Sequence, residues 1–351
     1  MYNQRIARLR ERLEDPLLIT FLPNIRYLTG FTGSNGFIFV SDERFVFITD
    51  GRYGELGERL MTQIDGAELE VHRAGLEDVL AGQLVGHDRV GLESPDVRWS
   101  FVHGLKAKTS ANLVPTKGIV EGLREIKDAG EVESLAKAAR AGDRAFDSVR
   151  SLAAGIDTEG NFGWELIGAM RDAGGRQADW PPIVAAGANA ALPHHLSLSD
   201  PLGDKLLLLD YGCTVDGYHS DMSRTIWLQG EIDPEIKRMY QAVLESQEAG
   251  IEAIKPGVTG HEVDEACRAV LRKYDYEDLF VHSTGHGVGL EIHEGPRVAP
   301  KSDDILAPGH VVTVEPGVYV PGFGGIRIED MVAVTESGHE VLTKSEKGLE
   351  A

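Results

Sequence analysis

Five side chains able to ligate a metal, Asp210, Asp221, His286, Glu315 and Glu329, lie inside or beside apolar runs of strand character. Asp210 closes LLLLD, Asp221 sits in HSDMSRTIWL, Glu315 in VVTVEP and Glu329 in GIRIED. Each acid is thus attached to a segment that reads as core, where an ionised carboxylate without a partner costs many kcal/mol. Arg224 and Arg327 are the evident cationic neighbours, and two cations cannot neutralise four acids. Four carboxylates and one imidazole carry a formal charge of about −4, which two divalent ions would cancel. Such ions also polarise an amide carbonyl and make hydroxide available near neutral pH. The set implies a two-metal hydrolase.

Hairpins are the simplest way to gather these groups. Asp210 and Asp221 are eleven positions apart, so the two ends of a hairpin through CTVDGY can bring them together. Glu315 and Glu329 are fourteen apart and allow the same across PGVYVPGFGG. His286 then arrives from a loop between the two hairpins. Strand alternation puts Arg327 on the face of Glu329, towards the metals, with Ile326 and Ile328 turned away. Asp330 falls on the other face and is not a ligand.

Upstream, Ile6, Leu9 and Leu13 give a helical stripe, and LLITF from Leu17 to Phe21 reads as a strand. FIFVS and RFVFIT flank Asp42 and Glu43 as a hairpin, GRYGELGERLMTQ reads as a helix and RVGLE as a further strand. Residues 1–125 therefore form an α/β domain of modest size. Near GLREIKDAGEVESL the pattern is interrupted by Lys127, Asp128 and Gly130. A long helix follows, with Leu135, Ala139, Gly142, Phe146 and Val149 on one stripe. In residues 126–351 strands and helices are grouped rather than strictly alternating, which predicts an α+β fold with antiparallel pairing.

The chain has 351 residues, enough for two domains with full cores. Its formal charge of −21 argues against nucleic acid or an anionic membrane surface as partner, since both need clustered Lys and Arg. Small peptides remain compatible. Cys213 and Cys267 lack CxxC spacing, so neither a disulfide framework nor a thiolate zinc site is supported. The first segment, MYNQRIARLRERLEDP, has no apolar stretch of the secretory kind, and no later run approaches the roughly 18 apolar residues that span a bilayer. A cytoplasmic location is expected.

The runs LLLLDYG, YHSDMSRT, HSTGHGVGLEIHEGP, TVEPGVY and GGIRIED resemble the metal-site signature of the pita-bread metallopeptidases. The likeness is closest to the aminopeptidase P and prolidase group, which hydrolyses Xaa-Pro bonds, and it extends from about REIKDAGEV onward. It implies a C-terminal pita-bread catalytic domain, a smaller creatinase-like N-terminal α/β domain, a dinuclear site and a homodimer. Carried over, Asp210 would chelate one ion, Asp221 and Glu329 would bridge both, and His286 and Glu315 would complete the other. His293 resembles the residue that contacts the scissile carbonyl, His282 the one that lines the proline pocket, and His194 in ALPHH the one near the leaving nitrogen. Its neighbour His195 has no such counterpart and reads as a surface or pocket-rim residue.

Glu315, expected beside the attacking water, is the candidate general acid and base. Trp180 and Tyr218 are candidate pocket walls by position alone, with core packing the favoured reading of both. Arg327 either pins a bridging carboxylate or binds substrate. Arg52 in TDGRY is a candidate specificity residue, because in similar bacterial proteins the N-terminal domain of one subunit can approach the partner's cleft. Four oxygen ligands and one nitrogen favour manganese, with cobalt and zinc as alternatives. The expected substrates are short proline-containing peptides. The FTGSNG and TDGRY runs favour an aminopeptidase, releasing the residue before proline, over a dipeptidase. A non-catalytic or creatinase-type member of the fold is the third reading, reached in such relatives by loss of ligand residues that this chain retains.

Overall fold

Runs of β-branched and aromatic residues suit a pleated, buried surface, and in the first 124 residues they build one mixed sheet. Its strands are β1 (Leu17–Ile19), β2 (Gly36–Val40), β3 (Phe45–Asp50), β4 (Ala67–His72), β5 (Arg89–Glu93) and β6 (Asn112–Thr116), in the order β4-β3-β2-β1-β5-β6. The β2–β3 hairpin pairs Phe39 with Val46 across the strands. Leu18, Phe39, Val46 and Ile48 pack on Leu80 and Leu105 of the helices Leu76–Gln83 and Trp99–Lys106. Buried Glu93 accepts from the Thr20 and Phe21 N–H groups at 2.7 and 2.8 Å, capping the helix Leu22–Thr29 that no side chain of its own caps. The computed structural model describes residues 1–351 except Ala74, Asp179, Asp204 and Ala351. Two compact units divide the chain, Met1–Arg124 and Glu125–Ala351.

The first long helix of the second unit is capped at Asp128. Its carboxylate accepts from the Glu131 N–H at 3.0 Å while Glu131 reaches back to the Asp128 N–H at 2.9 Å, a capping box that starts the helix Ala129–Val149. A three-stranded sheet follows, made of β8 (Ile183–Ala186), β9 (Leu206–Tyr211) and β12 (Met222–Trp227), with β9 central. A smaller sheet of β7 (Arg176–Gln177), β10 (Cys213–Val215) and β11 (Tyr218–His219) extends the turn between β9 and β12. The run LLLLD is apolar throughout because β9 is covered on both faces. Leu207 and Leu209 pack with Phe146, Phe162 and Leu166 on one side, while Leu206 and Leu208 meet Ile236, Met239 and Val243 on the other.

The second half repeats the theme. A five-stranded sheet contains β13 (Gly285–Gly287), β14 (Glu294–Val298), β15 (Val311–Val314), β18 (Asp330–Val334) and β19 (His339–Val341), and β16 (Gly317–Val320) with β17 (Gly324–Arg327) forms a hairpin of its own. Val312, Val314 and Val332 bury against Ile251, Val263 and Cys267 of the helices Pro234–Ala253 and Gly260–Lys273. The strand pairs described in this unit are antiparallel, so the grouped α+β organisation follows a smaller mixed α/β unit, as expected.

One expectation needs correction: His286 lies on a strand, β13, rather than a loop. The flanking glycines read as breakers in sequence but serve close packing. A Cβ on Gly285 would sit 2.0 Å from Thr313 O, and one on Gly287 would sit 2.0 Å from Gly295 O. No helix among the described residues is long and apolar enough to cross a membrane.

Candidate active site

Register brings the four acids and His286 together. Antiparallel pairing of β9 and β12 sets Asp210 opposite Ser223, with Asp221 just before β12 begins. The hairpin β16–β17 pairs Gly317 with Arg327, which leaves Glu315 and Glu329 side by side at its open end. The Glu329 N–H donates to Ser223 O at 3.1 Å, tying the two hairpins together. His286 Nε2 lies 3.6 Å from Asp221 Oδ2 and 3.5 Å from Glu315 Oε1. One ligand atom each from Asp221, His286 and Glu329 lie within 4.8 Å of one another.

Charge is unevenly shared here. Asp330, next to Glu329 in sequence, turns away from the cluster and pairs with Arg224 at 2.8 Å and Lys347 at 2.5 Å, accepting also from Gln247 and Thr343. Burial alone would raise its proton affinity, but Arg224 and Lys347 hold its carboxyl below the usual range. Arg224, a sequence neighbour of the acidic cluster, is thus committed to a residue outside it. The reverse holds inside the cluster. Burial, and then the neighbouring acids, push Asp221, Glu315 and Glu329 above the normal carboxylate range. Arg327 is the cation that does reach the cluster, through its Nη2 to Asp210 Oδ2 at 2.5 Å.

The donor set fits divalent cations. Glu329 Oε2 accepts from Ser223 Oγ at 2.7 Å, whereas Oε1 is buried without a hydrogen-bond partner. An orphaned carboxylate oxygen among like charges is what a bound cation would satisfy. His286 Nδ1 lies 3.1 Å from the carbonyl of Gly287, and burial pushes its pKa down to about 4. If Nδ1 carries the proton, the Nε2 lone pair faces the acids, the tautomer a metal ligand requires.

The remaining predicted residues occupy distinct places. His293 is exposed on the cavity wall with its ring centroid 4.2 Å from that of His286, and partial desolvation lowers its pKa. His282 Nδ1 is 4.0 Å from Glu315 Oε2, and its Nε2 is 2.8 Å from the Tyr319 hydroxyl. Burial, with Arg327 next, takes the His282 pKa to about 4. Arg327 spends its donors on Asp210, on Ser223 Oγ at 2.9 Å, on Tyr319 Oη at 2.8 Å and weakly on Pro193 O at 3.4 Å. His194 is exposed on the rim of a 420 Å³ cavity whose lining includes Trp180, Pro181, Ile183, Leu196, Ile292, His293, Asp210 and Asp221.

Tyr218 fares otherwise, and His195 and Arg52 take the following places. Tyr218 does not line this cavity; it is buried with its hydroxyl 2.8 Å from Glu131 Oε1. His195 lines the cavity, the pocket-rim alternative of its two readings, with its side chain 10% exposed and bonded to buried Glu159 at 2.6 Å. Arg52 belongs to the N-terminal unit, where it makes a two-pronged ion pair with Asp50 at 2.7 and 3.0 Å. Sequence reasoning also missed Tyr319 and Ser223. Strand parity carries a signal for Tyr319: it pairs with Gly325 as Gly317 pairs with Arg327, so Tyr319 and Arg327 share a face.

Comparison with known proteins agrees with this geometry. The sequence profile of metallopeptidase family M24 matches residues 133–336, and that of the creatinase/prolidase N-terminal domain matches residues 5–126. The solved structure of an Xaa-Pro dipeptidase from Bacillus anthracis superposes with a TM-score of 0.94 at 39% identity, covering 100% of this chain and 99% of that one. An X-Pro aminopeptidase from Thermotoga maritima gives 0.88 at 31% identity, covering 99% and 100%. An Xaa-Pro dipeptidase from Pyrococcus horikoshii is 32% identical over 363 residues, 99% of each chain. The chain therefore belongs to metallopeptidase family M24, the pita-bread metallopeptidases, in the group with a creatinase/prolidase N-terminal domain, and is a metal-dependent peptidase.

Proposed function

We propose that the chain hydrolyses Xaa-Pro bonds and acts as an Xaa-Pro aminopeptidase on short proline-containing peptides. The observation that carries this reading is the cluster of Asp221, His286, Glu315 and Glu329, with Asp221 also lining a largely apolar cavity alongside Asp210, His194 and His293. Asp210, Asp221, His286, Glu315 and Glu329 would hold two divalent ions, manganese for preference with cobalt or zinc as substitutes, which when bound would supply Lewis-acid polarisation of the scissile carbonyl and a hydroxide available near neutral pH. Glu315 takes the proton of the attacking water and passes it to the departing nitrogen. His293 donates to the oxygen on which negative charge develops. His282, braced by Tyr319, lines the pocket for the proline ring, whose nitrogen carries no hydrogen for an ordinary peptidase to grip. His194 serves the leaving-nitrogen side. Arg327 pins Asp210 and orients Tyr319 and Ser223, a role its four partners support better than direct contact with substrate.

The aminopeptidase form is favoured by the cavity lining, in which no Lys or Arg appears among the described residues to hold a product carboxylate. The second reading, an Xaa-Pro dipeptidase, is favoured by the names of two similar proteins. A matched pair decides between them: an Xaa-Pro dipeptide and the same peptide extended by one residue, each tested after chelation and manganese add-back. Cleavage of both, or of the longer alone, is the expected result. Cleavage of the dipeptide alone makes the protein a dipeptidase, and metal-dependent cleavage of neither removes the Xaa-Pro reading. A homodimer is the proposed assembly, with Arg52 of one subunit near the partner's cleft.

A further inference from the structure

The segment 187–202, between β8 and β9, carries His194 and has little regular structure beyond a single short helical turn at Gly187–Ala191. A catalytic side chain on such a segment needs anchoring, since an error of about 1 Å in its position can cost roughly a hundredfold in rate. The anchor is the N-terminus of the helix Glu159–Asp172. Glu159 is fully buried and yet lies outside the acidic cluster. Its Oε1 accepts from the Ala186 N–H at 2.7 Å and from Asn189 Nδ2 at 3.0 Å, and its Oε2 meets His195 Nε2 at 2.6 Å. The backbone of the same helix end completes the hold, with Glu159 N–H donating to Asp200 O at 3.0 Å and Gly160 N–H to Leu198 O at 2.8 Å. Entry, middle and exit of the segment are thus fixed to one helix end.

His194 itself sits at the corner of a turn. The His195 N–H closes it on Leu192 O at 3.1 Å, with Pro193 in the position where its fixed φ favours a turn. His195 therefore closes the turn with its backbone and pins it with its ring. Glu159, His195 and Asp200 also lie close enough together to suggest a second metal site. Both Glu159 oxygens are already engaged by nitrogen donors, and Asp200 is exposed, so hydrogen bonding accounts for the cluster without an ion.

We propose that Glu159 and His195 form a clasp that positions His194 at the rim of the active-site cavity, with His195 a positioning residue rather than a ligand. The inference rests on the reading that His194 serves Xaa-Pro hydrolysis. The test is a double-mutant cycle on the metal-loaded protein, with kcat/KM for an Xaa-Pro peptide measured for His194→Ala, His195→Ala and the pair. His195→Ala alone should lower kcat/KM on the order of tenfold, mainly through kcat, with metal content retained, and should add nothing once His194 is alanine. His195→Gln, whose amide can still donate to Glu159, should recover most of the loss. Additive losses, an unchanged rate in His195→Ala, or loss of metal from it would overturn the clasp. If His194→Ala is as active as the parent, the role of His194 fails instead, which separates that failure from this one. Glu159→Gln supplies an independent check: it keeps an oxygen for Ala186, and a rate loss of the same size as in His195→Ala is expected. A rate equal to that of the parent counts against the proposal.

Discussion

The acids Glu329 and Asp330 are neighbours in sequence with opposite surroundings, and the contrast locates the chemistry. Asp330 is held below the usual range by Arg224 and Lys347, whereas burial and its acidic neighbours raise the proton affinity of Glu329, whose Oε1 has no partner. A group in the first condition stabilises the fold and one in the second awaits a cation. Asp221→Asn and Glu329→Gln should each abolish measurable turnover, in assays paired with metal analysis by mass spectrometry. Full activity in either variant would end the assignment of these residues as shared ligands. His293→Ala should behave differently, losing about a hundredfold in kcat while keeping its metal. Loss of metal in that variant would move His293 from substrate contact to ligand support.

Among the elements, β13 shows how a strand can be hidden in sequence. GHG has the glycine content of a turn, yet both glycines are set by the backbone oxygens of facing strands, which come too close for any Cβ. A register shift between His286 and Gly287 adds a local bulge, a feature that re-aims side chains beside active sites. Gly287→Ala should therefore displace β14 from β13, lowering stability by about 2–3 kcal/mol in urea unfolding and reducing metal affinity with it. An alanine variant as stable as the parent would show that the sheet can open there at little cost. By contrast, the hairpins carrying the four acids were legible from spacing alone. Their ends are apolar strands with a fixed period of two, and the turns between them are rich in glycine.

Over the whole molecule, stability should depend on pH through groups outside the acidic cluster as well. His310 is buried in the second unit, and its Nδ1 accepts from the Ala307 N–H at 3.1 Å. Burial and then Lys127 lower its pKa to about 4, with Asp304 opposing. A depressed pKa means the fold favours the neutral ring, so this contribution is complete above about 6.5 and is lost as pH falls through about 4. His310→Gln should shrink the stability difference between pH 7 and pH 4.5 by about 2 kcal/mol, read as the change in urea midpoint relative to the parent. An unchanged difference would mean the ring titrates freely in the folded protein.

The chain's own residues determined the cluster of four acids and His286, the two hairpins that deliver the acids, the parity separating Arg327 and Glu329 from Ile326, Ile328 and Asp330, and the α+β grouping of the larger unit. Those features follow from short-range rules, chiefly strand period and the cost of burying charge, which act within about fifteen residues. Tertiary structure alone decided which cation serves which acid, because Arg224 and Lys347 reach Asp330 from segments that no spacing rule connects. It likewise decided that Tyr218 turns to Glu131 rather than to the cavity, and that His195 faces inward to Glu159, 36 residues away in sequence. Such pairings depend on how helices pack against sheets, and a hydrogen bond between distant segments leaves no periodic trace in the sequence that forms it.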